Sequence, residues 1–181
     1  MEIQFHHNID ATQMAEIGRL RTQVWSAEAD VNPQSLGPEP WIDPVDQKAC
    51  QWTVRDGRRL AAAARLSVHD ELASVPYYTA FVDRLPGSGP YGAMNRLVVQ
   101  RDYRGRGLAH RLDCLRLQHA QRLGARQVVV VASGRRVKAL EALGFENLGA
   151  PNPAPELLRS GQPYSILVHR LRDIPELPMQ V

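Results

Sequence analysis

The spacing of apolar residues along the chain alternates between the period of a helix and that of a buried strand. In a helix expected over residues 11 to about 29, Met14, Ile17 and Leu20 recur every three or four positions, which is typical of one apolar helical face. Residues 127–133 (QVVVVAS) are instead a short, continuous apolar run, which indicates a strand buried on both faces. The pattern therefore predicts a protein that combines helices with a buried sheet.

Turn-forming residues divide the rest of the chain into further elements. The Asp56-Gly57 pair between two apolar runs predicts a β-hairpin, and Gly124 ends a helix that begins at Leu108. The remaining predicted elements are strands at 2–7, 50–54, 58–68, 91–100 and 165–171, helices at 77–85, 108–123 and 135–143, and at most one helical turn at 156–159. This order predicts an α/β (α+β) fold of three layers, with a mixed central sheet of about six to seven strands flanked by helices.

The length and composition favour a single domain. A chain of 181 residues buries enough apolar surface to fold without disulfides, and we expect one domain over residues 1–172 with a C-terminal tail at 173–181. No apolar run approaches the roughly 18 residues that a membrane span needs, and the N-terminus lacks an export signal. We therefore expect a soluble, cytoplasmic protein without a membrane partner.

Arginine supplies most of the positive charge and narrows the choice of ligand. The formal net charge is +3, and four arginines fall close together at Arg101, Arg104, Arg106 and Arg111. The forked guanidinium group suits phosphate and carboxylate ligands. A nucleic-acid binder would interleave such a cluster with aromatic side chains, but only Tyr103 lies nearby. Nucleic acid is therefore an unfavoured partner.

The segment 97–112 (LVVQRDYRGRGLAHRL) carries the most specific pattern in the chain. A buried strand ends there, and Gly105 and Gly107 flank an arginine just as a helix begins. Glycine lets a bulky anion approach the backbone N–H groups, and a helix N-terminus adds free donors and partial positive charge. The segment lacks the Lys-Ser/Thr ending of a P-loop and the third glycine of a dinucleotide-binding loop. Two interpretations remain, a cradle for a pyrophosphate and a tight strand-to-helix turn.

This segment resembles the acetyl-CoA loop of the GNAT superfamily, whose signature is Gln/Arg-x-x-Gly-x-Gly/Ala after the fourth strand. The matching residues are Asp102-Tyr103-Arg104-Gly105-Arg106-Gly107, in which Asp102 departs from the family's Gln or Arg. The resemblance continues to Leu143-Gly144-Phe145 and covers residues 91–148. It implies a GNAT-like fold and an acyltransferase that uses acetyl-CoA as co-substrate, without a metal.

The resemblance also implies a set of cofactor-binding residues. Backbone groups of the strand before the loop would hold the pantetheine arm, and N–H groups of the loop and helix start would hold the pyrophosphate. The implied residues are Leu97, Val98 and Val99 for the arm, and Arg104, Gly105, Arg106, Gly107, Leu108 and Ala109 for the pyrophosphate. The side chains of Arg104 and Arg106 would either pair with a phosphate oxygen or stay solvated.

The residues that move protons follow the family less closely. The family often has a tyrosine in the last helix as general acid, where this chain has Leu140, and a carboxylate on the fourth strand, where it has Asn95. The remaining candidates for a catalytic role are Asn95, Ser133 and Tyr164, although Ser133 would serve equally well as a helix cap.

Three polar side chains on or beside the predicted strands have two interpretations each. Asn95 and Arg96 would orient a polar substrate, with Arg96 binding a carboxylate, or would face solvent. His69 would supply protons through water from the end of its strand, or would be a structural histidine. Both choices depend on which side chains face the substrate cleft.

Two hypotheses about function follow from the GNAT resemblance. The first is an acetyl-CoA-dependent N-acetyltransferase, in which a primary amine of a small molecule or a protein attacks the thioester directly. The second is a catalytically inactive CoA-binding sensor, because both of the family's proton carriers are replaced. The oligomeric state stays open, and a homodimer is compatible with the sequence.

A second resemblance concerns residues scattered over the first half of the chain. They are similar to positions in acyl-homoserine-lactone synthases and long-chain N-acyl amino acid synthases, which are GNAT-like enzymes fed by acyl carrier protein. The matching residues are Arg21-Thr22-Gln23-Val24-Trp25, Trp41-Ile42-Asp43-Pro44-Val45-Asp46, Ala64-Arg65-Leu66 and Asn95-Arg96-Leu97. This resemblance implies a long-chain N-acyltransferase as an alternative. The RGRG loop favours CoA instead, because carrier proteins present no CoA pyrophosphate.

Overall fold

The computed structural model describes residues 1–29, 31–32, 36, 38–85, 87–154, 157 and 161–171. Within these residues the strands are β1 (Glu2–His6), β2 (Cys50–Asp56), β3 (Arg59–His69), β4 (Tyr91–Val99), β5 (Gln127–Ser133), β6 (Glu146–Gly149) and β7 (Tyr164–Arg170). The α-helices are α1 (Ala11–Ser26), α2 (Leu108–Arg122) and α3 (Arg135–Glu141). The predicted turn at 156–159, apart from Leu157, and the predicted tail at 173–181 lie outside the described residues.

The strands form one mixed sheet in the order β1-β2-β3-β4-β5-β7-β6. All neighbouring pairs are antiparallel except β4 and β5, which run parallel. The predicted hairpin is confirmed, because β2 and β3 pair directly on either side of a turn in which Gly57 has a φ of +57°. A seven-stranded mixed sheet flanked by helices also confirms the predicted fold class.

Apolar side chains on both faces of the sheet pack against helices or turns, so the sheet is the middle of three layers. Successive side chains of a strand point to opposite faces. Val128 and Val130 of β5 pack with α2 and α3, whereas Val129 packs with Phe81 on the opposite face. Helix α1 covers this second face. Its apolar residues Met14, Ile17 and Leu20, whose spacing predicted the helix, pack against Leu60, Ala63 and Val98 of the sheet.

The helices begin and end close to the signals in the sequence. Helix α1 starts after Asp10, whose carboxylate accepts a hydrogen bond from the N–H of Gln13 at 2.8 Å. It ends at Ser26, earlier than the predicted limit of about 29. Gly124 follows the end of α2 with a left-handed φ of +77°. No described helix combines the length and apolar character needed to cross a membrane.

Strand β4 is irregular on both of its edges. It pairs with β5 only as far as Ala93↔Val129, so the two strands separate beyond that pair. On its other edge, Arg96 and Leu97 lie opposite the single residue Ala64 of β3, which is a β-bulge. Arg96 has a φ of +53°, a left-handed conformation that is uncommon for a residue with a side chain.

The predicted helix at 77–85 is wrong. The chain instead makes two 3₁₀ turns, Leu72–Ser74 and Tyr78–Ala80, and Tyr77 between them has a φ of +67°. A left-handed residue directly after Pro76 interrupts a right-handed helix, so the two turns stay separate. Burial of Phe81 in the core then holds this segment on the same face of the sheet as α1.

Gly18 lies at the contact between α1 and the segment that carries Trp41. A Cβ at Gly18 would lie 2.8 Å from Cβ of Pro40 and 3.2 Å from the Trp41 carbonyl oxygen. An alanine in place of a helix glycine normally adds about 1 kcal/mol of stability. Here we expect Gly18→Ala to lower the free energy of unfolding by about 1–3 kcal/mol, because the methyl group overpacks this contact. Urea denaturation measures the change.

Gly161→Ala is the matched control, because a Cβ there would meet no atom within 4 Å. We expect this variant to unfold at nearly the same urea concentration as the parent protein. A Gly18→Ala protein as stable as the parent would show that the segment can move away from α1 at no cost.

Candidate active site

A cavity of about 160 Å³ lies where β4 and β5 separate. Three aromatic side chains, Trp25, Trp41 and Tyr77, form part of its wall. Its polar lining residues are Asn95, Arg96, Arg116, Ser133, Arg136 and Tyr164. The cavity therefore combines arginines, neutral polar groups and aromatic rings.

The cavity is lined by β5 residues that face opposite sides of the sheet. Val130 and Ala132 face the side of α2, and Val131 and Ser133 face the side of α1, because neighbouring residues of a strand alternate. All four line the same cavity, which is open between the strands because β4 and β5 are unpaired beyond Ala93. A narrow ligand between the two strands would therefore contact residues from both faces of the sheet.

The glycine loop before α2 presents free backbone donors. Gly105 and Gly107 have φ values of +77° and +74°, and a Cβ on either would meet no atom within 4 Å. The first backbone hydrogen bond of α2 runs from the N–H of Arg111 to the carbonyl of Gly107 at 3.0 Å. Within the described residues, the N–H groups of 105–110 make no hydrogen bond. The loop therefore offers open space and unpaired donors for an anion.

The N–H of Arg104, which the sequence grouped with these donors, is bonded internally. It donates to the carbonyl of Arg101 at 3.2 Å. The Arg104 side chain also donates to the Val99 carbonyl oxygen at 3.2 Å and forms an ion pair with Glu28. The free backbone donors therefore begin at Gly105.

Aromatic and acidic contacts hold the other charged side chains of the loop. The guanidinium groups of Arg59 and Arg106 lie 5.3 Å and 5.1 Å from the ring centroid of Tyr103. Asp102, the residue that departs from the GNAT signature, pairs with Arg59 at 3.0 Å. Asp102 thus connects the loop to Arg59 of β3. Unlike the Gln or Arg of the signature, its carboxylate has no donor for a ligand.

The structure brings most of the sequence-predicted site residues to the cavity or the loop. Asn95, Leu97, Ser133 and Tyr164 line the cavity. Val98 is instead buried against α1. Leu108 is buried in the core beside the start of α2, and Ala109 follows it in the first helical turn.

Neither Leu140, which stands in place of the family's tyrosine, nor His69 lines the cavity. Leu140 is fully buried in the core. His69 Nε2 lies 2.8 Å from the Ser67 hydroxyl, and its Nδ1 lies 3.2 Å from the Ser74 hydroxyl. Both ring nitrogens of His69 are therefore engaged, which favours its structural interpretation.

A buried ion network stands behind the aromatic wall. Asp46 accepts two hydrogen bonds from Arg21 at 2.8 and 3.0 Å and one from Arg65 at 2.9 Å. Arg65 also bonds Asp43 at 2.8 Å, and Asp43 in turn accepts two bonds from Arg96 at 2.6 and 2.9 Å. These five side chains join α1, the 43–46 turn, β3 and the bulge of β4.

The side chains of Asp43 and Asp46 stay charged in this network. Burial alone would raise their pKa values, but hydrogen bonds and positive charge from the neighbouring arginines outweigh it. Each pKa therefore lies below the ordinary range of an aspartate.

Asn95 is oriented by Arg65. Its Oδ1 lies 2.6 Å from Nε of Arg65, and since a guanidinium group can only donate, the amide must turn its oxygen toward it. Within the described residues, Nδ2 of Asn95 makes no hydrogen bond. Asn95 therefore offers a donor to a cavity ligand and has no free group to act as a base.

A second charged cluster lies on the α2 side of the cavity, and the sequence did not predict it. Asp113 pairs with Arg116, and Arg136 lies 2.9 Å from Asp113. Arg116 also donates to the carbonyl oxygens of Arg65 and Asn95 at 3.0 and 3.4 Å. Burial lowers the pKa of Arg116 to about 10, a value at which it keeps its charge at neutral pH. The polar residues of α2 gave no sign that they would be buried.

The separated strands β4 and β5 and the glycine loop with free helix-terminal amides lie within the part of the chain that a family comparison matches. The sequence matches the acetyltransferase (GNAT) family over residues 16–145, and the chain belongs to that family. It is therefore an acyltransferase. No curated protein sequence matches the chain.

Several solved structures share this fold. The CoA-dependent acyl-homoserine lactone synthase BjaI, solved with SAM and isopentyl-CoA, is 18% identical with a TM-score of 0.69 over 94% of this chain and 83% of its own. An acyl-CoA N-acyltransferase from Pseudomonas aeruginosa is 18% identical with a TM-score of 0.64, over 93% and 99%. FeeM, an N-acyl amino acid synthase from uncultured soil microbes, is 11% identical with a TM-score of 0.68, over 93% and 91%. At these identities the likeness concerns the fold alone.

The lowered pKa values of Asp43 and Asp46 predict the acid sensitivity of the protein. A carboxyl group with a lower pKa in the folded state stabilises the fold fully above its unfolded pKa, about 3.9. That stabilisation is lost as the pH falls through the folded pKa. We expect the free energy of unfolding, measured by urea denaturation between pH 7 and pH 3, to decrease progressively below about pH 4.

Asp46→Asn tests whether the network causes this loss. At pH 7 we expect it to cost about 3–5 kcal/mol, because it leaves buried arginine charge uncompensated, and to flatten the acid dependence. Asp102→Asn is the control, since the Asp102 side chain is 68% exposed against 1% for Asp46. Equal stability loss in both variants would contradict the assignment.

Proposed function

We propose that the protein is a coenzyme A-dependent N-acyltransferase that moves a short acyl group, acetyl in its simplest form, to a primary amine. The observation that carries this proposal is the set of unpaired N–H groups at 105–110, beside an opening between β4 and β5. The free donors and the open space at both glycines suit a pyrophosphate. The opening between β4 and β5 suits the narrow pantetheine arm, which is joined to the pyrophosphate in CoA.

The strand residues before the loop complete this proposed binding site. Beyond Ala93, β4 has no partner strand on the β5 side. The carbonyls of Asn95 and Val99 accept hydrogen bonds from Arg116 and Arg104, and the remaining backbone groups of this stretch that face β5 are available to the amides of pantetheine. Leu97 lines the cavity directly. The bulge at Arg96 also breaks the regular pairing with β3, so a backbone N–H near it is a candidate donor for the thioester oxygen.

The transfer itself needs no covalent enzyme intermediate. The acceptor ammonium first releases one proton to water, and its neutral nitrogen attacks the thioester carbonyl carbon. The C–N bond forms, the C–S bond breaks, and the electron pair leaves with the sulfur of CoA. The second proton passes from the nitrogen to this sulfur, which yields an amide and the free thiol.

Three cavity residues are candidates for these steps. Tyr164 and Ser133 lie opposite each other on neighbouring strands β7 and β5, and both line the cavity. We assign to Tyr164 the relay of this proton: its hydroxyl gives a proton to the sulfur and regains one from the nitrogen. Ser133 would hydrogen bond to the sulfur, directly or through water. Asn95 donates its Nδ2 group to a polar atom of the substrate.

Gly107→Ala tests the loop. We expect it to weaken CoA binding at least about 10-fold in isothermal titration calorimetry, because the methyl group occupies the space of the anion and strains a φ of +74°. Gly57→Ala is the matched control, since that glycine also has a positive φ and open surroundings but lies in the β2–β3 hairpin. Equal CoA affinity in both variants would contradict the assignment of the loop.

Release of free thiol from acetyl-CoA in the presence of an amine panel separates the enzyme from a CoA-binding sensor. Turnover with any amine supports the transferase. Tight CoA binding with no thiol released from acetyl-CoA or another acyl-CoA in the presence of any amine would instead favour the sensor.

A longer acyl group is a second candidate, because a smaller, largely apolar cavity adjoins the first. It has a volume of about 20 Å³ and shares Tyr77, Met94, Asn95 and Val131 with the main cavity. That volume holds about two carbon-sized groups. The structural neighbour BjaI was solved with isopentyl-CoA, which is compatible with an acyl group a few carbons longer than acetyl.

A panel of acyl-CoA thioesters tests this second candidate. We expect butyryl-CoA to be used at least as well as acetyl-CoA, and Ala93→Val to lower kcat/KM for butyryl-CoA about 10-fold while acetyl-CoA is spared, because Ala93 lines the smaller cavity. Equal loss with both thioesters would contradict the assignment. A strong preference for long-chain acyl carrier protein would favour the long-chain alternative.

A further inference from the structure

We infer that the acceptor amine carries a carboxylate and that Arg96 binds this group at the cavity wall. This inference rests on the proposed function and names the class of its acceptor. The observations that carry it are the unused donors of Arg96, the charge of the buried network and the residue types of the cavity lining.

Arg96 is held in one orientation with part of its donor set unused. Its guanidinium carbon lies 4.1 Å from the ring centroid of Trp41 and 5.8 Å from that of Tyr77. Asp43 takes Nε and one proton of Nη2. Within the described residues, Nη1 has no hydrogen-bond partner, so one edge of the planar group keeps its donors. A carboxylate is the ligand that such an edge binds in a bidentate manner.

The network behind Arg96 carries one positive charge more than its carboxylates compensate. Arg21, Arg65 and Arg96 share only Asp43 and Asp46, and no other described carboxylate forms an ion pair with them. The side chain of Arg96 is only 9% exposed, and an uncompensated charge at such depth is costly. Of the three arginines in the network, Arg96 is the one that lines the cavity. A carboxylate bound to it there would make the network neutral.

The rest of the cavity agrees with an anionic acceptor. Arg96, Arg116 and Arg136 line it, and its described lining contains no aspartate or glutamate. A simple alkylammonium ion would meet three like charges there and no opposite charge in the described lining. Nδ2 of Asn95, next to Arg96 in sequence, adds a neutral donor for the second carboxylate oxygen.

The bulge of β4 explains why two consecutive residues can serve one ligand. In a regular strand the side chains of Asn95 and Arg96 would point to opposite faces. Here Asn95 contacts Arg65 and Arg96 contacts Asp43, which are bonded to each other. The extra residue in β4 therefore brings both side chains to the same network.

The positive surroundings also bear on the chemistry of the amine. Cations near an ammonium group favour its neutral form, which is the form that attacks the thioester. The carboxylate of the acceptor would thus bind the molecule, while the arginines on both sides of the cavity would favour loss of the amine proton. A protein carboxylate acting as general base is then not required.

Matched acceptors test the inference. L-leucine, L-phenylalanine and L-methionine are compared with their amino-acid amides and with the corresponding amines, 3-methylbutylamine, 2-phenylethylamine and 3-(methylthio)propylamine. The amides lose a proton from the amine more readily than the acids do, so a preference for the acids cannot come from amine basicity. We expect kcat/KM for the best acid to exceed that for its amide at least about 10-fold.

Arg96→Gln should abolish this preference. The remaining network of two arginines and two aspartates is balanced in charge, so the fold is not left with an unpaired ion. We expect the ratio of acid to amide to fall to about one, while calorimetry still detects CoA binding, because the backbone donors at 105–110 are not part of the network. Arg55→Gln is the control, because Arg55 makes a similar ion pair with Glu16 outside the cavity lining.

The same panel is titrated calorimetrically in the presence of saturating CoA, which does not depend on turnover. Binding of the acids over the amides in the parent protein, lost in Arg96→Gln, supports the inference. Equal or tighter binding of amides or simple amines, or no binding of any acid, would overturn it. Loss of CoA binding or of all thiol release would instead count against the proposed function, so the two failures are distinguishable.

Discussion

Separation of β4 from β5 beyond Ala93 is the constraint on which the rest of the candidate site depends. In a regular parallel pair, the backbone N–H and C=O groups that face the neighbouring strand are hydrogen-bonded to it. A backbone group that is left without a hydrogen bond in a protein interior costs free energy unless it finds another partner. Here the separation creates a cavity that reaches both faces of the sheet. The free backbone edge and the cavity arise from the same break in pairing.

The bulge and the ion network stabilise this opened edge from the other side. Arg96 is in a left-handed conformation that a regular strand would not contain, and its ion pair with Asp43 lies beside the ring of Trp41. Asp43 and Asp46 belong to a turn that docks on α1, where Gly18 leaves room for the preceding segment. Disturbing any of these contacts should therefore alter the shape of the cavity wall.

The glycine loop depends much less on distant contacts. Gly105 and Gly107 have positive φ values with no neighbouring atoms, and the donors of the first helical turn are free because of helix geometry. A proposed pyrophosphate site of this kind is local. The proposed acceptor site is not, because it combines side chains from β4, the 43–46 turn and the aromatic wall.

The two kinds of site explain which predictions from the sequence succeeded. Hydrophobic periodicity predicted strands β1 to β5, strand β7 and the three α-helices, because burial of one face leaves a local pattern. It was wrong at 77–85, where Tyr77 is left-handed and is followed only by the 3₁₀ turn Tyr78–Ala80. Of the predicted catalytic residues, Asn95, Ser133 and Tyr164 do line one cavity, but their roles stay predictions.

The sequence by itself determined the fold class and the glycine loop, since helix period, strand runs and positive φ at glycine are properties of neighbouring residues. Only the tertiary structure decided which charged residues meet. Arg21, Asp43 and Arg65 matched a scattered resemblance, and Asp113 and Arg116 gave no signal, yet each is largely buried in an ion pair. The physical reason is that burying a charged side chain costs free energy unless an opposite charge lies beside it. For Arg21 and Arg65 that opposite charge comes from a distant part of the chain.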